Sequence, residues 1–512
     1  MRHSLVAGLA LAGLLAAPGA TQMPDVPPFV RVDFALDSGP VANVADAEEV
    51  VIAFPVVYAP GESLRLWFDE VTLAGSVADG TASFLRITSM EDGHVQRLDP
   101  VSIEQWYLSS AYFNGNGVWV EVVAQPGTGS NRVVLRELEV GLGWSTPGEP
   151  DGEGDTQCGP VDDREPSSDP RVSRLMPVAC TSWMIDDCGK CHLSAGHCAG
   201  FITTIQFDVP FSNANGSLVN PPPSKQYSID QQSIQLNNVY GNDWVYFGTF
   251  PNSNTQLTAY EAQGAAFELV DPPAPAGATI RITGHGTDST PNSTYNQVQQ
   301  TSSGPMVGAG TALSYQTDTQ GGNSGSPIIW EQTDQAIGVH TNGGCSTGGG
   351  GSNSGTPITV GALQLALENP LGVCLSGSIS GPFTDLGGNL MNGGFLAPAL
   401  TACGTLEPNT DLDITLDTAF GLNASATAVL FVGFAQLNAP FQGGTLVPTP
   451  DIIVFGIPID TSQSAFAQLT LATTWPSGVP SGFELVLQYW VEVSFIFLQG
   501  TVASNGLLMT AP

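Results

Sequence analysis

Between Phe29 and Trp144 apolar and polar residues alternate. "SLRLWFDEVTL", "ASFLRITSM", "GVWVEVVAQ" and "NRVVLRELEVGL" all step with period two, and Gly, Asn and Asp turns separate them. That period sends successive side chains to opposite faces, so the stretches predict half-buried strands and a β-sandwich-like N-terminal domain over residues 24–144. The alternation stops at "STPGEPDGEGDTQCGPVDDREPSSDP". This run is rich in Pro, Gly and acid and has too few apolar residues to form a core, which predicts a linker over 145–175. The basic "RVSRL" at its end predicts an exposed processing site. Short strands return over 176–374, with His, Asp and Ser set in their loops. A second linker is expected over 375–399. "ATAVLFVGFAQL", "DIIVFGIPI", "FAQLTLATTW" and "FELVLQYWVEVSFIFL" then predict a C-terminal β-rich domain over 400–512. With no heptads and no exact internal repeat, the pattern is that of an all-β protein.

The first 20 residues break this pattern differently. Arg2 and His3 give a positive start, "LVAGLALAGLL" an apolar core and "AAPGA" small residues for cleavage. This is the layout of a secretory signal peptide, and the run is too short to span a bilayer of about 30 Å. No later apolar stretch reaches 18 residues, so the expectation is an exported protein without a membrane span. Charge narrows the partners. Lys and Arg total 13 against 47 Asp and Glu, for a net charge of −34. Nucleic acids and anionic membranes need basic patches, so neither is an expected partner. Arg281 is the last Lys or Arg in the chain, so trypsin is expected to cut the folded protein only before residue 282.

The eight cysteines are Cys158, Cys180, Cys188, Cys191, Cys198, Cys345, Cys374 and Cys403. An even count in an exported chain favours disulfides. The rival is zinc, because "CGKC" (Cys188 to Cys191) lies near His192, His197 and Cys198. A structural zinc site usually takes two separated ligand pairs, so the expectation is no metal and no other cofactor.

One glycine-rich turn carries candidate chemistry. "QGGNSGSPII" holds Ser324 between glycines. With 60 glycines in 512 residues, such turns are common and most do nothing. A serine hydroxyl becomes a nucleophile only beside a base, with an orienting carboxylate and donors for the oxyanion. "CHLSAGHCAG" supplies His197 among small residues. "YGNDWVYFGTF" supplies Asp243 at the start of an apolar run, where a buried acid needs a partner. Asp230, in "YSIDQQSI", is the rival acid and is expected to be solvated. The order His197, Asp243, Ser324 is that of chymotrypsin-like peptidases, not of subtilisins or α/β-hydrolases.

"LSAGHC" resembles the "TAAHC" box of trypsin-like serine peptidases, and "GGNSGSPI" resembles their "GDSGGP" box. The "GNSGSP" variant is that of bacterial glutamyl endopeptidases. "NDWVYFG" resembles the strand start that carries the aspartate, and "GVHTNGG" the segment lining the specificity pocket. The resemblance covers about 176–374 and implies a chymotrypsin-like double β-barrel flanked by the two β-sandwich-like domains. It implies that Ser324 attacks the scissile carbonyl, that His197 moves the proton and that Asp243 holds the imidazole. The N–H groups of Gly322 and Ser324 would form the oxyanion hole. Thr319 and His340 match the places that bind an acidic side chain, which implies acidic P1 specificity. Asp318, six residues before Ser324, leaves Arg or Lys specificity open. Asn323 stands where trypsin-like zymogens carry Asp, so activation through an ion pair with a new N-terminus is in doubt. Among the cysteines, Cys180 and Cys198 resemble the bridge that closes the histidine loop. Cys345 with Cys374, Cys188 with Cys191, and Cys158 with Cys403 complete one of many pairings. The partners implied are protein or peptide substrates. The alternative is a homologue that no longer cuts and acts as an extracellular binding protein through its β domains.

Overall fold

The computed structural model describes residues 29–142, 156–288, 293–374, 382–392, 395–420, 424–459, 461, 466–495 and 498–512. The expected signal peptide, most of the first linker and the start of the second lie outside these residues.

In the N-terminal region two antiparallel sheets face each other. One runs Phe29–Asp37, Ser130–Gly141, Ser63–Thr72, Phe113–Asn114, with Val41–Ala42 also on Ser130–Gly141. The other runs Glu49–Val57, Gly117–Ala124, Phe84–Ser89, Val95–Leu98. Period two does what it should: in Phe84–Ser89 every second residue is buried, with Leu85 and Ile87 fully enclosed. They meet Leu64, Leu66 and Leu138 of the facing sheet in one core. Each such side chain gains about 1.5–3 kcal/mol from burial.

The central body holds two seven-stranded sheets. The first runs Gln226–Ser228, Thr204–Gln206, Val172–Met176, Cys180–Met184, His192–Ser194, Asn242–Phe247, Gln235–Val239. The second runs Glu165–Pro166, Gln300–Ala309, Thr279–Gly284, Pro327–Trp330, Gln335–Asn342, Asn353–Pro357, Leu313–Tyr315. Leu313–Tyr315 pairs back onto Gln300–Ala309, which closes this sheet into a barrel filled by Ile280, Ile282, Met306 and Ile328. The helix Gly361–Glu368 returns to the first sheet and buries Leu363 and Ala366 in its core.

Both linker boundaries need correction. Thr156 to Leu175 is not a free linker: Cys158 is bridged to Cys345, Glu165–Pro166 pairs with the second sheet, and Val172–Met176 is a central strand of the first. "RVSRL" is therefore no processing site. Every residue of Val172–Met176 is buried. Arg174 is tolerated inside because Gln206 Oε1 takes both its Nε (2.9 Å) and Nη2 (2.6 Å). Likewise Phe383 and Phe395, within the expected second linker, are buried in the C-terminal core. That core lies between a six-stranded sheet centred on Glu484–Phe495 and a three-stranded sheet of Ala399–Cys403, Asp411–Ala419 and Phe466–Thr474.

Of the expected cysteine pairs, only Cys180–Cys198 forms. The others are Cys158–Cys345, Cys188–Cys403 and Cys191–Cys374. "CGKC" is a tight turn with Lys190 at φ +47°, and it sends its two sulfurs to different partners. Cys191 is buried in the body while Cys188 is exposed and reaches the C-terminal domain.

Candidate active site

His197 lies in the short 3-10 turn Gly196–Phe201. Cys198, next to it, is bridged to Cys180 on the neighbouring strand. Gly196 is required, since a Cβ there would stand 1.9 Å from the Asn237 carbonyl oxygen. Asp243 opens the strand Asn242–Phe247 and is 2% exposed. One carboxylate oxygen accepts the His197 backbone N–H at 2.9 Å, and the other lies 2.6 Å from His197 Nδ1. Two bonds to one residue fix both the ring's plane and its position. On the far side, His197 Nε2 lies 2.8 Å from Ser324 Oγ.

Ser324 comes from the second sheet's side of the molecule, so the line Asp243–His197–Ser324 crosses the seam between the sheets. Thr356, on the second sheet, ties that seam: its hydroxyl accepts from Asp243 N at 2.9 Å and donates to Asp243 O at 3.0 Å. The Ser324 turn has two left-handed glycines, Gly322 at φ +98° and Gly325 at φ +90°. A Cβ at Gly322 would meet Gln297 Nε2 at 2.3 Å and His285 O at 2.5 Å, so no other residue fits. Asn323 Oδ1 accepts from Gln320 N at 3.0 Å, and its own N–H bonds Gln320 O at 2.9 Å. The amide thus braces the turn from within.

Thr319 and His340 are both fully buried, on segments that flank Ser324. His340 is locked to the serine turn, giving its N–H to Ser326 O and taking that of Gly325, each at 2.8 Å. Its Nδ1 lies 2.5 Å from Tyr315 Oη. Burial, together with the nearby His197, holds the His340 imidazole down to about 3, and burial pushes the Tyr315 phenol well up. Both are therefore neutral at pH 7. Thr319 Oγ1 accepts from Asn353 Nδ2 at 2.9 Å.

The rival acid Asp230 is not solvated. It is 4% exposed and accepts from Gln232 N and Val373 N, which ties its loop to the turn Gly372–Cys374. The ligand set of the zinc alternative is dispersed: Cys188, Cys191 and Cys198 are all bridged, and His192 stacks on Phe247 at 5.5 Å. Thr356, Tyr315 and Asn353 were not singled out from sequence. Each sits in a strand whose composition is unremarkable, and only pairing brings it to the site.

No protein-family model matches the chain. A 205-residue stretch is 28% identical to a glutamyl endopeptidase of Bacillus licheniformis, covering 35% of this chain and 56% of that protein. This central part is related to the chymotrypsin-like serine peptidases. A second relative of this peptidase-like body, from Bacillus subtilis, is named an extracellular metalloprotease; it is 26% identical over 200 residues, covering 35% and 54%. The chain spans about half the length of the curated relatives it matches. Among the described residues, no group of three or more His, Cys, Asp and Glu is arranged to hold a metal ion. A solved Glu endopeptidase bound to MPD is 20% identical, with a TM-score of 0.32 over 41% of this chain and 97% of that one. Neuropsin, a serine protease of mouse brain, gives 15% identity and a TM-score of 0.30 over 39% and 95%.

Proposed function

We propose that this chain is an exported serine endopeptidase that prefers an acidic residue before the scissile bond. The observation that carries the reading is the unbroken relay Asp243–His197–Ser324, with contacts of 2.6 and 2.8 Å. Ser324 Oγ attacks the carbonyl carbon while His197 Nε2 takes its proton. The N–H groups of Gly322 and Ser324 stabilise the oxyanion, a contribution of about 3–4 kcal/mol per donor in such sites. His197 then protonates the leaving amine, and the acyl-enzyme is released by water through the same steps in reverse. Asp243 keeps the Nδ1 proton in place and favours the imidazolium that forms.

The acidic preference rests on His340 and Thr319. The Tyr315 phenol keeps its proton and donates it to His340 Nδ1, which leaves the imidazole proton on Nε2, free to donate to a substrate carboxylate. Export is supported by the four disulfides and by the leader-like first 20 residues.

A fluorophosphonate probe with mass-spectrometric mapping tests the nucleophile. The expected adduct is on Ser324, and His197→Ala should abolish it and lower peptide hydrolysis by about 10⁴-fold or more. An unlabelled wild-type protein would favour the binding-protein alternative. Peptides differing only at P1 test the preference; faster cutting after Lys or Arg than after Glu would end it.

A further inference from the structure

The stretch just before the first barrel strand lies against the back of the site. Thr156, 6% exposed, gives its hydroxyl to the Thr319 carbonyl oxygen. Cys158 N and Asp163 N donate to the two oxygens of Asp318, at 2.6 and 2.8 Å. Asp163 in turn accepts from Ser302 Oγ at 2.7 Å, and the same hydroxyl accepts from Asp318 N at 3.2 Å. Cys158 is bridged to Cys345, which follows the His340 segment directly.

Asn353, fully buried, joins these pieces. Its Oδ1 accepts the N–H groups of Gly344 and Cys345 at 2.9 and 3.0 Å. Its Nδ2 gives to Thr156 O (2.7 Å), Thr317 O (2.8 Å) and Thr319 Oγ1 (2.9 Å). One amide therefore holds both walls, 317–319 and 340–345, together with the segment outside them.

We propose that Thr156–Pro166 is a built-in clamp that positions the two walls of the acid-recognising pocket, with Asp318 as its anchor and Asn353 as its hub. The inference rests on the reading above that Thr319 and His340 receive the substrate's carboxylate. It also assigns Asp318, 4% exposed, a task that removes it as a counter-charge for Lys or Arg: both its oxygens are engaged by main-chain amides. Asn323 carries no charge to pair with a new amino terminus, and here the clamp does the ordering instead. Thr156, Asp318 and Asn353 are positioning residues and touch no substrate.

The test uses the full chain and three forms: wild type, Thr156→Val, and the double change Cys158→Ser with Cys345→Ser. Each is assayed on two peptides that differ only in Glu or Leu at P1, and for its rate of fluorophosphonate labelling at Ser324. Thr156→Val preserves shape and guards against a double variant that does not fold. The expected result is a KM for the Glu peptide raised about three- to tenfold by Thr156→Val and more by the double change, with kcat and labelling within about twofold. An unchanged Glu-peptide KM in both variants overturns the clamp and leaves the peptidase reading standing. So does a parallel loss of kcat, KM and labelling, which is the mark of general unfolding. A wild type that neither labels nor cuts overturns the peptidase reading and the clamp with it.

Discussion

The two accessory domains are held to the peptidase-like body in opposite ways. The N-terminal domain is seated by buried polar bonds. Arg65, 2% exposed, gives to Ser110 O, Ser109 Oγ and Tyr112 Oη within its own domain, and to Thr203 Oγ1 of the body at 2.7 Å. Tyr112 N donates to Gln226 Oε1 at 3.0 Å, and Gln226 Nε2 returns a bond to Tyr112 O at 2.8 Å. Asn114 and Asn220 exchange bonds of 2.8 and 2.9 Å beside them. The C-terminal domain is instead stapled by Cys188–Cys403, at the rim of a cavity of about 570 Å³. Asp186, Tyr246 and Pro370 line it from the body, and Thr401, Asp413 and Thr415 from the domain. A seat of matched buried polar groups is specific and insensitive to redox state. A staple over an open cavity keeps position only while it stays oxidised.

Acid gives the broadest contrast. His192, His285 and His340 are buried in the body, and burial holds each near 3. Neither ring nitrogen of His192 has a partner among the described residues. In the unfolded chain each titrates near about 6.5. Below that value the open chain binds protons that the fold refuses, so stability falls as pH drops from about 6.5 towards 3, by several kcal/mol in sum. Residues 382–512 contain no histidine. Hydrogen-exchange mass spectrometry at about pH 7 and pH 4 should show the body opening first and the C-terminal core persisting. Equal protection losses in both would break the contrast.

Arg65→Met comes next. It removes every polar bond of a buried cation and is expected to cost about 3–5 kcal/mol, read as a lower melting temperature with new exchange at Thr203 and Gln226. The same exchange profile should leave Ala399–Cys403 unchanged. Opening the staple with Cys188→Ser and Cys403→Ser should cost about 2–4 kcal/mol. Its signature is a larger hydrodynamic radius, with hydrolysis and the N-terminal seat unaffected. A compact double variant would mean that the cavity face holds without the bridge.

How much of this was legible in the sequence follows the range of each signal. Leu85 and Ile87 announce their strand through local alternation, and the His197, Asp243 and Ser324 boxes carry their chemistry in adjacent residues. The order of those boxes even implied the two-sheet body. Val172–Met176 hid because a strand enclosed on both faces has no alternation, and its buried Arg174 read as an exposed basic site. The clamp hid inside an acidic, Pro-rich run because its bonds are made by backbone amides and one hydroxyl. Asp230 read as solvated because its partners, Gln232 N and Val373 N, are main-chain groups that no composition reveals. Disulfide partners were the least legible, since Cys188 and Cys403 stand 215 residues apart.

Thr356 has a consequence for recombination between relatives. Its single hydroxyl bonds both the N–H and the carbonyl of Asp243. A chimaera that imported another protein's second barrel with a different side chain at this place would keep all three members of the relay on paper. It would lose the registration mark between the two halves. Exchange of barrels is thus permitted in units that travel with a hydroxyl at 356, and breakpoints chosen only to spare His197, Asp243 and Ser324 would yield misaligned hybrids.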